Sequence, residues 1–100
     1  MSSSVFPLGG IYLTAGVHQL SEQHQAFQSF VASCISQHSQ GQWGSLCESD
    51  QAINQAALEH GGRLFSSYTV PASVGVSEPR VWVITESDRS ATTVLFPGEY

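Results

Sequence analysis

The stretch AFQSFVASCISQ at residues 26–37 decides the fold class of this chain. Its apolar side chains recur every three or four residues, which is the pattern of an amphipathic helix with one buried face. The residues of this stripe are Phe27, Phe30, Val31, Cys34 and Ile35. We therefore expect a helix that begins near Ala26, buries this stripe, and ends at Gly41.

A second helix is expected after Cys47. Ser45 and Glu48 have the spacing of a capping box, and Ser49 or Asp50 is an alternative N-cap. The residues expected on the inner face of this helix are Ile53, Ala56, Ala57 and His60. The Gly61-Gly62 pair is the expected C-cap.

Strand-forming residues dominate the C-terminal half. Three segments rich in Val, Thr and aromatic residues are predicted strands: Arg63 to Val70, Arg80 to Thr85, and Ala91 to Phe96. Residues 71–79 form a connector, and residues 86–90 form a short turn that joins the last two strands into a hairpin. Near the start, Leu8 to Thr14 suits a short strand, and Thr14 can cap a helical turn that runs to Leu20.

The predicted architecture is α+β with two layers. An N-terminal strand and two to three helices pack on a C-terminal antiparallel sheet of three or four strands. One hundred residues are near the modal size of one domain. We expect a single domain over residues 8–100, preceded by a flexible leader over residues 1–7.

The composition limits the partners and the compartment. The chain has no lysine, three arginines and eight carboxylates, which give a net charge of −5. Direct binding to nucleic acid is therefore not expected, because it needs a basic surface. The start of the chain lacks the features of a signal peptide, and the longest apolar run is Val81 to Ile84. We expect a soluble, cytoplasmic protein that does not act at a membrane.

Four residues form a candidate metal site: Cys34, His38, Cys47 and His60. Cys34 and His38 are four apart on one helix, and zinc accepts such ligands. However, no Cys-x-x-Cys pair occurs, Cys34 belongs to the apolar stripe, and His38 suits the helix C-terminus. We expect a packed cysteine and a capping histidine, reduced thiols, and neither metal nor cofactor.

The sequence carries no recognisable catalytic motif. Four histidines and sixteen serines could supply bases and hydroxyl groups. Because these residues are so numerous, their presence does not indicate a particular catalytic site. Neither a Gly-x-Ser-x-Gly elbow nor a His-Glu-x-x-His pair occurs. We expect a protein that is not an enzyme.

Two features are candidates for binding a protein partner. In the turn at residues 86–90, Asp88 can order the backbone while Arg89 stays solvated, which is the interpretation we favour. Alternatively, the turn presents Glu86 and Asp88 to a basic partner. Trp82 and Tyr68 are candidate interface aromatics, whereas we expect Phe65 and Phe96 to complete the core.

Several runs of the chain stand out together. They are GQWGSLC at 41–47, Asp50, Asn54, GRLFSSY at 62–68, VWVITE at 81–86, DRS at 88–90, Thr92-Thr93 and PGEY at 97–100. Over roughly residues 9–100 they resemble a family of small uncharacterised proteins carried on bacterial plasmids, integrative elements and prophages. The resemblance implies an accessory gene of a mobile element and no established activity. The chain departs from the family pattern at Gln42, where an acidic residue is usual, and in its longer connector at 71–79.

This resemblance favours a particular function. Small acidic proteins of mobile elements often bind a host defence component, so we expect a non-enzymatic inhibitor, an anti-CRISPR protein that covers a basic surface of an effector complex. The expected partner-binding residues are Glu86, Asp88, Arg89, Trp82 and Tyr68.

Two alternatives remain open. One is a plasmid-maintenance or regulatory partner, such as one half of a toxin–antitoxin pair. The other is a small enzyme or metal-binding protein that uses Cys34, His38 and Cys47. A homodimer through the aromatic sheet face or an open edge strand is compatible with each of these functions.

Overall fold

The computed structural model describes residues 4–100, which form three α-helices and one four-stranded sheet. The strands are β1 (Gly10–Leu13), β2 (Leu64–Thr69), β3 (Arg80–Thr85) and β4 (Ala91–Leu95). The helices are α1 (Ala15–Gln23), α2 (Gln25–Ser39) and α3 (Glu48–His60), and single 3₁₀ turns lie at Ala72–Val74 and Pro97–Glu99. The α+β class predicted from the sequence is confirmed.

The sheet is mixed, with the strand order β1-β4-β3-β2. The three C-terminal strands are antiparallel, as predicted, but β1 lies parallel to β4 with Ile11 opposite Thr92. The expectation of a wholly antiparallel sheet is therefore corrected at this edge. Because the rest of the chain separates β1 from β4, no hairpin turn constrains the direction of β1.

The main core lies between one face of the sheet and the helices α1 and α2. Its buried residues are Val17, Phe27, Val31, Cys34, Tyr68, Val81, Val83, Val94 and Phe96. The stripe predicted on α2 is thus confirmed at Phe27, Val31 and Cys34, while Phe30 and Ile35 are partly buried at its margin. We call the opposite face of the sheet the outer face.

The start of α3 differs from the prediction. Its N-cap is Cys47, and no side chain caps the helix there. The capping box of Ser45 and Glu48 and the alternative caps Ser49 and Asp50 are therefore wrong.

The buried face of α3 also differs from the prediction. Ile53 is 63% exposed, and Ala56 and His60 are exposed, whereas Asn54 and Ala57 are buried. Only Ala57 was expected there. The reason is that α3 packs beside the edge strand β2. There the Asn54 side chain forms hydrogen bonds with the backbone amide and carbonyl of Phe65.

A second cluster of buried residues holds the N-terminal segment against the domain. It consists of Phe6, Trp43, Ala57 and Leu64. Phe6 is 7% exposed, and the Val5 amide donates to the Ser39 carbonyl at 2.8 Å. The chain is therefore packed before residue 8, where the domain was expected to begin. The first three residues of the expected leader lie outside the described residues.

None of the helices within residues 4–100 has the length and apolarity needed to cross a membrane.

Candidate functional site

The turn between β3 and β4 forms what we call the acidic tip, residues 86–90. The Glu86 amide donates to the Ala91 carbonyl at 3.0 Å, and the Arg89 amide donates to the Glu86 carbonyl at 2.9 Å. The Ser90 amide donates to Asp88 Oδ1 at 3.0 Å. The predicted hairpin is confirmed, and Asp88 orders its turn as the favoured interpretation required.

The acidic tip carries two carboxyl groups, those of Glu86 and Asp88. The hydroxyl and the amide of Ser90 donate to Asp88 and hold the pKa of its carboxyl below the usual value. Glu86 and Asp88 are both exposed. In the described part of the chain, the ion pairs are His18–Glu22 and His60–Glu59, so neither tip carboxylate has a cationic partner.

Arg89 makes most of its contacts within the domain. Its guanidinium donates to the carbonyls of Gly62 at 2.6 Å, Ala57 at 3.1 Å, Glu86 at 3.1 Å and Ser87 at 3.2 Å. It also lies over the Phe6 ring, 5.8 Å from the centroid. The side chain is therefore neither solvated nor paired with a carboxylate. It joins the acidic tip to the C-terminus of α3, where a cation is favourable.

The outer face of the sheet carries what we call the aromatic row, Phe65, Trp82 and Tyr100. Trp82 packs edge-on against Phe65 at 4.9 Å and against Tyr100 at 5.8 Å between ring centroids. Tyr100 is 68% exposed, and Arg63 donates to its hydroxyl oxygen at 2.6 Å. Trp82 is half-buried on this face, at the surface where it was expected.

Tyr68, expected at the surface, is buried, and Phe65, expected in the core, lies on the outer face. Tyr68 is 5% exposed in the main core, and its hydroxyl donates to the Gln42 carbonyl at 2.6 Å. Burial raises the pKa of this phenol. Phe65, expected in the core, lies half-buried in the aromatic row. Neighbouring positions of a strand face opposite sides of a sheet, and the inward positions of β2 are even-numbered. Tyr68 is thus packed in the core rather than at the surface. Phe96 is buried, as expected.

The acidic tip begins directly after β3, the strand that carries Trp82. Trp82 and Glu86 are four positions apart, a distance of about 13 Å along an extended chain. Trp82 has an outward position of β3, because Val81, Val83 and Thr85 face the core, and the next outward residue, Ile84, is 4% exposed. The exposed carboxylates of the tip therefore lie within a few residues of Trp82.

His38 lies in a buried polar network rather than at a helix cap exposed to solvent. Its Nδ1 is 2.5 Å from Ser66 Oγ, and its Nε2 is 2.9 Å from Thr85 Oγ1. Thr85 Oγ1 is 2.7 Å from Thr92 Oγ1, and the Thr92 hydroxyl donates to the Leu8 carbonyl at 2.7 Å. All four side chains are fully buried.

The carbonyl at the end of this network sets the direction of every hydrogen bond. Thr92 uses its single hydrogen on Leu8, so Thr85 must donate to Thr92, and His38 Nε2–H must donate to Thr85. A neutral imidazole then accepts from the Ser66 hydroxyl at Nδ1. Burial lowers the pKa of His38 to about 4, which keeps it neutral.

The polar members of this network were missed from the sequence. Ser66, Thr85 and Thr92 stand at the inward positions of their strands, and that parity is the signal that could have found them. A serine next to a histidine is the arrangement of an activated nucleophile. Here, however, Ser66 is 0% exposed, and the rings of Phe6 and Trp43 pack against the imidazole.

The four candidate metal ligands do not come together. Cys34 is buried, which raises the pKa of its thiol to about 12, and Cys47 is exposed at the start of α3. His60 is exposed at the end of that helix. Within residues 4–100, no three His, Cys, Asp or Glu side chains are grouped to hold a metal ion, and both thiols are free.

No family model, curated protein or solved structure matches this chain. The resemblance to small proteins of mobile elements therefore remains a prediction, and function is argued from the surface itself.

Proposed function

We propose that this protein is a non-enzymatic inhibitor that binds a basic surface of a host defence complex, in the manner of an anti-CRISPR protein acting in the bacterial cytoplasm. The binding surface consists of the acidic tip and the aromatic row. The observation that carries the proposal is the pair of exposed carboxylates, Glu86 and Asp88, which form no ion pair within the described chain.

The acidic tip supplies long-range attraction to a basic partner. Its two carboxylates lie on a turn that Asp88 and Arg89 hold in one conformation, so little order is lost when a partner binds. Opposite charge on the partner raises the rate of association and suppresses wrong orientations. The net charge of −5 also attracts a basic partner and raises the rate of association.

The aromatic row supplies the apolar contact. Tryptophan and tyrosine dominate the energetics of protein interfaces because they bury a large area at a small entropic cost. Trp82 is braced by Phe65 on one side and Tyr100 on the other. A partner that covers this row therefore meets a preformed surface.

The buried Ser66–His38 pair supports a binding function over catalysis. A catalytic hydroxyl needs a cavity that a substrate can enter. Ser66 and His38 are fully buried among apolar side chains, and the network uses both imidazole nitrogens for hydrogen bonds within the core.

The first experiment is a pull-down with the tagged chain from a bacterial host that carries an active CRISPR system, followed by mass spectrometry. Stoichiometric recovery of effector subunits is the expected result. Recovery of the tagged chain alone, or of a cognate partner unrelated to host defence, contradicts the proposal.

The second experiment measures association kinetics with the recovered complex. The double variant Glu86→Gln/Asp88→Asn removes two charges but keeps an acceptor for the Ser90 amide. We expect its association rate at low ionic strength to be about three- to tenfold lower and less dependent on salt. The control Glu22→Gln/Glu48→Gln removes the same charge at two exposed positions away from the tip. Equal rates for the two double variants would exclude the tip as the docking site.

A further inference from the structure

The edge of β1 differs from the other edge of the sheet. The Gly10 and Thr14 amides donate to the carbonyls of Ser90 and Val94 on the β4 side, each at 3.0 Å. Because backbone groups alternate along a strand, the amides and carbonyls of Ile11 and Leu13 face away from β4. Ile11 is 44% exposed and Tyr12 is 58% exposed.

The opposite edge, at β2, is closed by other parts of the chain. Asn54 donates to the Phe65 carbonyl at 2.6 Å and accepts from its amide at 3.1 Å. The Ser67 amide donates to the Trp43 carbonyl, and the Ser45 amide donates to the Ser67 carbonyl. Native proteins cover edge strands in this way to prevent uncontrolled pairing. The contrast singles out β1 as the edge available to a partner strand.

A groove of about 480 Å³ runs beside this edge, between β1 and the helices α1 and α2. Ile11, Leu13, Val31 and Ile35 supply apolar lining. Ser21 also lines it. Its side chain is only 7% exposed, and its hydroxyl has no hydrogen-bond partner within residues 4–100.

We propose that the occupant is a second copy of this chain, whose β1 pairs antiparallel with the first β1 across a twofold axis. The two sheets then join into one of eight strands, with the helices of both copies on the same side. This inference concerns a surface other than the one proposed for the defence complex, and it does not depend on that function.

The register that pairs the free backbone groups of both Ile11 and Leu13, and only these, is self-complementary. Ile11 of one copy exchanges two hydrogen bonds with Leu13 of the other, and the twofold axis repeats this pair. Tyr12 then lies opposite its own symmetry mate as a non-hydrogen-bonded pair, with α-carbons about 4.5 Å apart. On the helix side, Ile11 and Leu13 of the two copies cover the groove. On the outer side, the two tyrosine rings form an aromatic cross-strand pair.

Charge repulsion between two copies is weakest where few carboxylates lie, and this edge is such a place. Each copy carries a net charge of −5, so two copies can meet only where few carboxylates lie. The groove contains one carboxylate, Glu22, which already lies 2.8 Å from His18. In an antiparallel pair, the start of one β1 lies beside the end of the other, so the acidic tips next to Gly10 point to opposite ends of the interface.

The test is analytical ultracentrifugation of the 100-residue chain from about 5 to about 500 µM, together with two variants of opposite charge. Tyr12→Glu and Tyr12→Lys each place like charges opposite each other in the proposed register. We expect the wild type to form a dimer and each variant alone to dimerise at least about tenfold more weakly. An equimolar mixture of the two variants should form a heterodimer. The matched controls Tyr100→Glu and Tyr100→Lys alter a similarly exposed tyrosine away from β1 and should leave the dimer intact.

Amide hydrogen exchange of the wild type supplies a measurement that needs no variant. The Ile11 and Leu13 amides should become protected as the concentration rises, while the Phe65 amide, bonded to Asn54 within one chain, should not change. A wild type that stays monomeric at the highest concentration overturns the proposal. A dimer that is insensitive to both Tyr12 variants, with the Ile11 amide unprotected, overturns it equally.

Discussion

His38 Nδ1 lies 2.5 Å from the hydroxyl oxygen of Ser66, and neither side chain reaches solvent. The two residues are 28 positions apart in the chain, on α2 and β2. Their hydrogen bond is the first of a directional series that ends on the Leu8 carbonyl, so the network ties the helix, the sheet and the N-terminal segment together. It requires the imidazole to be neutral, and this requirement makes the fold sensitive to acid.

The first prediction concerns pH. The folded-state pKa of His38 is about 4, below the value of 6.5 for an exposed histidine, because burial disfavours the charged ring. The unfolded chain therefore binds a proton at higher pH than the folded chain. The stabilisation that His38 contributes is complete above pH 6.5 and is lost as the pH falls from 6.5 to 4. The expected loss in the free energy of unfolding is roughly 3 kcal/mol, measured by urea denaturation across this range.

His38→Gln isolates this effect. We expect the variant to be less stable at neutral pH and to lose less stability on acidification, since Gln cannot bind the proton. The control His60→Gln alters an exposed histidine and should keep the wild-type dependence on pH. A His38 imidazole resonance that titrates near pH 6.5 in NMR would contradict the interpretation.

The second prediction concerns Glu99, which caps α1 from the far end of the sequence. Its carboxylate accepts from the Thr14 hydroxyl at 2.6 Å and from the amides of Gly16 and Phe96, each at 3.0 Å. Partial burial opposes ionisation, but these hydrogen bonds outweigh it and lower the pKa of Glu99. Its contribution is therefore present at neutral pH and is lost as the pH falls through that lowered value. We expect Glu99→Ala to lower the free energy of unfolding by about 1–2 kcal/mol, against little change for Glu59→Ala. Equal stability of the two variants in urea denaturation would show that Glu99 does not cap α1.

The third prediction separates a structural from a partner-binding role for Arg89. Because its guanidinium donates to four backbone carbonyls, Arg89→Ala should lower the free energy of unfolding by about 2 kcal/mol. Arg89→Lys keeps the charge but not the planar fork, so it should recover only part of that loss. Thermal and urea denaturation measure both effects. A fully stable Arg89→Ala variant that no longer binds its partner would show that Arg89 contacts the partner, as expected from the sequence.

The fourth prediction concerns the closed edge of the sheet. Asn54→Ala leaves the amide and the carbonyl of Phe65 without their side-chain partner, and it should cost about 2 kcal/mol of unfolding free energy. It also opens β2 to pairing with other chains, so faster aggregation should accompany the loss. Gln55→Ala, one position along on the exposed side of α3, is the control and should change neither property. Light scattering and denaturation distinguish these outcomes.

Much of the fold was predictable from local patterns. The stripe from Phe27 to Ile35 located α2, and the polar turn at 86–90 located the β3–β4 hairpin. Both signals act over a few residues, where helix periodicity and turn chemistry are strong. Trp82 was a candidate interface residue because tryptophan is enriched in binding hot spots.

Assignments that depended on more distant contacts were wrong. Ile53 looked like an inner residue of α3 by its hydrophobicity, yet Asn54 faces β2 because the strand edge needs a donor and an acceptor. Tyr68 and Phe65 were assigned to the wrong faces, since composition alone does not reveal the parity of a strand. Arg89 was expected in solvent, and only the packing of α3 beside the hairpin brings the carbonyls of Ala57 and Gly62 to it.

The sequence by itself determined the element types, the α+β class and the acidic, lysine-free surface, because these follow from composition and from interactions between near neighbours. Tertiary structure alone decided which polar groups meet. The partners of His38 lie 28 and 47 residues away, and Glu99 reaches Thr14 across 85 residues. It also decided that β1 joins the sheet parallel to β4 and leaves its outer edge free. Such contacts depend on how whole elements pack, and burial makes each one costly to leave unsatisfied.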